Sequence, residues 1–572
     1  MKLRPTSKSC LILSAAVLLL LGSATGCQTG GSRQSGESPS EASADPAATQ
    51  TQQEGSAKSP VTLTTFFNVA ENSSIPWNWG KDPVSKEITK RTGVTIEPVF
   101  GDNDSQKLKL MLASGEKLPD ILVYVNPTTQ LYKDLVDGDY VYALSDLIEK
   151  YDPGMKDMLM KGELEFNQED DGKLYYLVSN IFGYDELKDP RLSATGQWAI
   201  REDLHKSLGS PSMKTPEELM QVLEQAKAKF PDMKYPLFLP ELFLYSNPWP
   251  IYQSFGGHST IDGKYYDEKN KTVGYWYEDE IGKKSLKYLN QLYAKGLINP
   301  EAFTLKDWSL PLNTGDVFLL GIWNYFAISG ANGSLQKIDP EMSYTPVEPV
   351  IANGVDNYEV PIWYSTKSGR TAMITKDAKD PAKALEYLKF MISDEGQKLA
   401  LYGLEGVTYN MEKDESGEYP VFADEVGKLF STDFTKMVNT YGVYNYFNYA
   451  WIIKNKYDNA VVYANTKKDP LAQKTRNFYQ KYKVGLKSEY LTNAIFIKPG
   501  SDEANIEIKL SDVVKKYIFQ TITAKSDEQF ESLYAEFMGK TQEVGIDKLK
   551  AYYATEAGKY AERLAANGVV LE

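Results

Sequence analysis

An α/β fold, with helices covering the sheets, is what this 572-residue sequence predicts. Two observations carry it: capped amphipathic helices alternate with short apolar runs, and no short internal repeat interrupts that order.

The N-terminus comes before the fold. Lys2, Arg4 and Lys8 precede an apolar run from Leu11 to Leu21 broken only by Ser14, and then Gly22-Ser23-Ala24-Thr25-Gly26-Cys27. A run of about eleven residues is too short for the ~20 that span a bilayer, so residues 1–26 are expected to be a cleaved export signal. The small residues before Cys27 resemble the bacterial lipobox, which implies a lipid on Cys27 and a chain held at the outer face of the cell membrane. Residues 27–60 carry no large apolar side chain and are rich in Ser, Gly, Gln, Ala and Pro. Such a stretch cannot bury enough surface to offset chain entropy, so a disordered tether is predicted.

The folded body should begin at Val61-Thr62-Leu63-Thr64-Thr65-Phe66-Phe67, a β-branched and apolar run. Thr215-Pro216-Glu217-Glu218 reads as a capping box with Pro at the first helical position, and Leu219, Val222, Leu223, Ala226 and Phe230 follow on one face. A helix over Ile281 to Lys295 should stop at Gly296, with Pro300 beyond. Asp380-Pro381 opens another through Leu385, Leu388 and Met391, and Ser526 caps one that turns Phe530, Leu533, Tyr534 and Phe537 inward. Strands are expected at Asp120–Val125, Val317–Ile322 and Thr371–Thr375. The aromatic positions of Leu486–Glu572 read as either core or rim.

Composition narrows the function. Removing residues 1–26 takes away three cations and no anion, moving the formal charge from −14 to −17. That balance disfavours nucleic acid and anionic lipid, which attract basic surfaces. His205 and His258 are the two histidines, and no cysteine follows Cys27, so triads, HExxH zinc sites and His-based acid/base chemistry are not supported. No phosphate-binding loop, dinucleotide fingerprint or EF-hand loop is present, and no cofactor is expected. Carboxylate chemistry stays open, because 77 Asp and Glu could supply a glycosidase-like pair. The 39 Tyr and 9 Trp suit strand cores and the apolar faces of sugar rings alike.

Leu110 to Ile121 (LMLASGEKLPDI) is a helix ended at Gly115 with Pro119 leading into a strand. The segment resembles extracellular solute-binding proteins of family 1, the lipoprotein substrate-binding components of carbohydrate ABC importers. Lys86–Val94, Gly138–Ile148, Asp171–Tyr176 and Trp198–Asp203 are similar to further segments of that family. Leu289–Pro300 and Asp377–Gly406 resemble its longer Gram-positive branch. The resemblance implies a periplasmic-binding-protein-like (type II) fold, with two lobes joined by a hinge and a cleft between them. Residues 61–180 and 366–400 would form lobe 1, and 181–365 with 401–572 lobe 2. Ligand contact with both lobes is what couples binding to closure.

By resemblance, Tyr124 would lie against a sugar, Trp323 would form a stacking platform, and Asn180 would be a polar cleft position; Tyr325, two residues after Trp323, is a further ligand-binding candidate. Read from the residues, Trp77-Asn78-Trp79 after the first strand, Trp249, and Trp363-Tyr364 are further stacking or polar candidates, and Glu405 could accept hydroxyls. Each has an ordinary structural reading beside the functional one. Asp102 and Asp104 could hold a cation but read as solvated acids. Pro231–Pro236 lacks the acidic calcium loop of some relatives, so no metal is expected. The resulting expectation is a monomeric, non-enzymatic, lipid-anchored receptor that hands a carbohydrate, an oligosaccharide, to ABC permease subunits. A peptide or other small solute is the first alternative, and a carboxylate-dependent surface glycosidase or lyase the second.

Overall fold

The computed structural model describes residues 60–572 apart from 70–76, 103–104, 160–163, 165–166, 179–195, 259–262, 306, 323–324, 361–370, 416, 446–462, 464–466, 468–469, 483–486, 489–490, 493–494, 570 and 572. The export signal, Cys27 and almost all of the expected tether lie outside those residues.

The first lobe opens as β1 (Val61–Phe67), α1 (Pro83–Thr92), β2 (Val94–Phe100), α2 (Gln106–Ser114), β3 (Ile121–Val123), α3 (Gln130–Asp137), α4 (Leu144–Tyr151) and β4 (Leu177–Val178). β1 pairs in parallel with β2 along its whole length and with β3 from Thr65 onward. Local chemistry sets the helix ends. The Asp82 carboxylate accepts from Ser85 N at 2.8 Å, Pro83 opens α1, and Gly93 closes it at φ 65°. Gly115 ends α2 with its N–H on the Leu112 and Met111 carbonyls.

The chain crosses to the second lobe between Val178 and Gly196. There it forms β5 (Gln197–Arg201), α5 (Glu202–Ser207), α6 (Pro216–Lys229), β6 (Tyr235–Phe238), α7 (Pro240–Tyr245), α8 (Trp249–Ser254), β7 (Lys264–Asp267) and β8 (Thr272–Tyr275). α9 (Glu280–Ala294), α10 (Ser309–Thr314), β9 (Val317–Ile322), α11 (Tyr325–Ile338) and β10 (Tyr344–Val347) complete the pass. The main sheet runs β10-β5-β9-β6, with β6 and β9 parallel. The expected capping box is half realised. Thr215 accepts from Glu218 N at 3.3 Å, but the Glu218 carboxylate accepts from Lys214 N and the Ser212 hydroxyl.

Between Val360 and Thr371 the chain returns to the first lobe as β11 (Thr371–Ile374), α12 (Pro381–Ile392), α13 (Asp394–Tyr402), β12 (Tyr409–Asp414), β13 (Gly417–Phe422), α14 (Asp424–Thr432) and α15 (Phe434–Tyr441). β11 enters the first sheet antiparallel, giving the order β2-β1-β3-β11-β4. The expected division at residue 400 is corrected here. Tyr409, Phe422, Val426, Met437 and Val438 share one core with Leu63, Ile88, Ile374 and Leu388, so the first lobe extends well beyond residue 400.

Lys467 still pairs with Glu412 and Asp414 of the first lobe, and the last pass then leads to α16 (Pro470–Tyr479), α17 (Asp502–Ile522), α18 (Asp527–Val544) and α19 (Ile546–Ala566). Phe530, Phe537, Leu549 and Tyr553 are buried in the second lobe's core with Trp276, Tyr277 and Leu286, which settles the C-terminal helices as core. α19 also reaches the first lobe, where Arg563 Nη1 donates to the Gln168 carbonyl at 3.2 Å.

Candidate functional site

The crossings mark the sheet ends that face each other. In the first lobe, Thr371 is the first described residue after a crossing, and its carbonyl accepts from Tyr124 N at 3.0 Å. Tyr124 directly follows β3, whose neighbours β1 and β2 end at Phe67 and Phe100. The C-terminal ends of these parallel strands therefore form the edge nearest the second lobe, where ligands gather in α/β sheets. In the second lobe, β5 starts just after a crossing and pairs antiparallel with β9, Gln197 opposite Ile322. The end of β9 is thus the corresponding edge.

Trp77 and Trp79 form a shelf on the first edge. Their rings are 5.6 Å apart and 14° from parallel. Trp77 leans on Phe67 at 5.5 Å and meets Phe100 edge-on at 6.3 Å, so it sits over the strand ends. Trp79 is tied behind it: Nε1 donates to the Thr89 hydroxyl at 3.1 Å, and Tyr387 meets the ring edge-on at 6.5 Å. Burial pushes the Tyr387 phenol up, which keeps this backing ring neutral. Asn78 between the two tryptophans donates to Asn439 Oδ1 at 2.7 Å, which fixes the loop on α15. Both indoles are half-buried.

Tyr124 has a left-handed backbone, φ 70°, which a non-glycine residue adopts at a cost of roughly 1–3 kcal/mol. That turn is why the strand expected to reach Val125 stops at Val123. Asn68, the residue after β1, holds it: Asn68 N donates to Val123 O at 3.1 Å, and Nδ2 donates to Tyr124 O at 3.3 Å and to the Ser105 hydroxyl at 2.6 Å. Sequence reading missed Asn68, although a polar side chain immediately after a buried first strand is a recognisable signal.

Other candidates fall elsewhere. Trp249 is 1% exposed, and its ring packs on Gly196, where a Cβ would come within 2.5 Å of it. One edge of the Trp249 ring is therefore occupied by the backbone just before β5. Glu405 is exposed beside Tyr409, whose phenol is pushed up by burial and by the Glu405 charge, with Arg91 opposing. In the same loop, Gly403 lies against Val443, next to the Gly442 that faces the Asp82 cap of α1. Asp102 caps α2, accepting from the Gln106 and Lys107 amides at 3.2 Å each. Asp104, Asn180, Trp323, Trp363 and Tyr364 lie outside the described residues, and Tyr325 opens α11. Among the described residues no group of three or more His, Cys, Asp or Glu is arranged to hold a metal.

Two α/β lobes, three crossings and an aromatic shelf at the facing edge define a two-lobe solute-binding protein. The chain belongs to the bacterial extracellular solute-binding protein family, whose model it matches over residues 84–420. Over 273 residues it is 28% identical to the fructooligosaccharide ABC transporter substrate-binding protein FusA of Streptococcus pneumoniae serotype 4 (strain ATCC BAA-334 / TIGR4). That match covers 44% of this chain and 49% of the relative, so it spans about half the length of that protein. Among solved structures, FusA in complex with kestose superposes with a TM-score of 0.63 at 17% identity, covering 88% of this chain and 100% of the other. An HMO-binding, ABC-transporter-associated solute-binding protein from Bifidobacterium longum infantis ATCC 15697 gives 0.62 at 15% identity, over 88% and 99%. The alginate-binding protein AlgQ2 without calcium ion gives 0.60 at 20% identity, over 88% and 100%. At these identities the likeness establishes the fold. Among the described residues no helix is long and apolar enough to cross a membrane.

Proposed function

We propose that the protein is a monomeric, non-catalytic receptor that captures an oligosaccharide between its lobes and presents it to the permease subunits of an ABC importer, while a lipid on Cys27 keeps it at the outer face of the membrane. The observation that carries this reading is the Trp77–Trp79 shelf on the first-lobe edge that Tyr124 shares, the edge nearest the second lobe. Flat apolar rings match the C–H faces of sugars, and polar groups fixed around them choose hydroxyl stereochemistry. The names of FusA, of the HMO-binding protein and of AlgQ2 support the same ligand class.

Nothing in this reading requires a bond to be made or broken. Binding energy goes into bringing the lobes together around the ligand. Titration calorimetry of the purified protein with kestose, lacto-N-tetraose and an alginate oligosaccharide tests it. Saturable heat with at least one sugar, and the same sugar recovered unchanged after prolonged incubation, is the expected result. Binding of a peptide in place of every sugar would reject the ligand class, and sugar cleavage would reject the receptor role. Release of the protein from cells expressing a Cys27→Ala variant tests the lipid anchor separately.

A further inference from the structure

We infer that Gln253 and Asn445, one carboxamide from each lobe, are the polar, specificity-determining contacts of the ligand site; the inference rests on the carbohydrate-receptor reading. Among the described residues these are the two carboxamides with both polar atoms buried and without a hydrogen-bond partner. Gln253 is 1% exposed and Asn445 0%. Buried polar groups in folded proteins are overwhelmingly paired, because an unpaired one keeps its full desolvation penalty. Two amides unpaired at both ends are therefore unusual.

Their positions are what connect them to the site. Gln253 follows Trp249 by one helical turn on α8, so the two share a face. The first turn of α8 covers the facing edge of the second lobe, with Trp249 on Gly196 before β5 and Pro250 on Gly321 near the end of β9. Asn445 follows α15 on the first lobe. Its N–H donates to Gly442 O at 3.2 Å, and Gly442 lies against the Asp82 carboxylate that caps α1. Asp82 in turn follows the loop that carries Trp77 and Trp79. Gln253 thus lies by the start of β5 in the second lobe, and Asn445 by the Asp82 end of α1 in the first.

A carboxamide presents two donors and one carbonyl acceptor, which matches hydroxyls that both give and accept. A ligand bridging Gln253 and Asn445 would gain hydrogen bonds in both lobes at once, which is the condition for coupling binding to closure. The aromatic shelf would then supply contact area, and the amides would discriminate among sugars, since a site built to pair hydroxyls rejects analogues that lack them.

The test uses Gln253→Met and Asn445→Leu, near-isosteric changes that delete the polar atoms. Two readouts are taken on the full protein: melting temperature without ligand, and calorimetric affinity for kestose, lacto-N-tetraose and an alginate oligosaccharide. The inference expects a melting temperature equal to or above that of the parent for each variant, together with an affinity loss of roughly tenfold or more for the sugar that binds the parent. A clear fall in melting temperature, showing that the amide is paired within the fold, overturns it. So does affinity within twofold of the parent. If the parent binds none of the sugars, the carbohydrate reading fails on its own, and melting temperatures at or above that of the parent would still mark the two amides as held for another solute.

Discussion

The rings of Trp77 and Trp79 stack 5.6 Å apart, and Trp79 is anchored from behind by Thr89 and Tyr387. The two residues should therefore respond differently to mutation. Trp79→Ala is expected to destabilise the protein by about 2 kcal/mol, from lost packing and one lost hydrogen bond. Trp77→Ala should leave stability closer to the parent while lowering sugar affinity roughly tenfold. Denaturant unfolding and calorimetry on both variants separate the effects, and equal losses in both readouts would contradict the division of labour.

Tyr124 offers a test of backbone against side chain. At φ 70° glycine is at ease and alanine is not, so Tyr124→Gly should be about 1 kcal/mol more stable than Tyr124→Ala. Both variants lose the ring and should lose affinity alike. Alanine matching glycine in stability would mean that the left-handed turn is not present in solution.

Trp249 and Gly196 form a second coupled pair. Gly196→Ala places a methyl within 2.5 Å of the indole and should destabilise the second lobe by about 1–3 kcal/mol. Trp249→Phe should relieve part of that in the double variant, although alone it destabilises. A purely additive double variant in urea unfolding would argue against the contact.

The pH dependence of the α6 cap has a definite sign. The Glu218 carboxyl is held below its ordinary value of 4.5, first by the Ser212 hydroxyl and then by the Lys214 amide. A depressed carboxyl contributes stability that is full above 4.5 and disappears as pH falls through the lower folded value. Melting temperatures of Glu218→Gln and the parent should therefore differ at pH 7 and converge in acid, once the pH has fallen through the lowered folded value. A difference that persists unchanged into that acid range would show that the charge is not what the cap uses.

Much of the fold was legible because local chemistry and global packing agree in it. Gly115 and Gly296 end helices where expected, and Asp380 and Ser526 cap the helices predicted from them. What misled was information that only tertiary structure holds. Residues 401–445 have no local feature that assigns them to a lobe, and packing of Met437 and Val438 against the first core decides it. Trp249 and Trp77 look equivalent in sequence, but Gly196 gives one of them a place in the core. Gln253 and Asn445 carry no sequence signal at all, because being buried and unpaired is a property of the surroundings.

The most direct test of an oligosaccharide held between two lobes is calorimetric titration of the parent and Trp77→Ala proteins with kestose, lacto-N-tetraose and an alginate oligosaccharide in parallel. One sugar bound per chain by the parent, with affinity weakened roughly tenfold in Trp77→Ala, is the predicted result. Heat that is absent for all three sugars at millimolar concentration, or binding that is indifferent to the loss of Trp77, would contradict it.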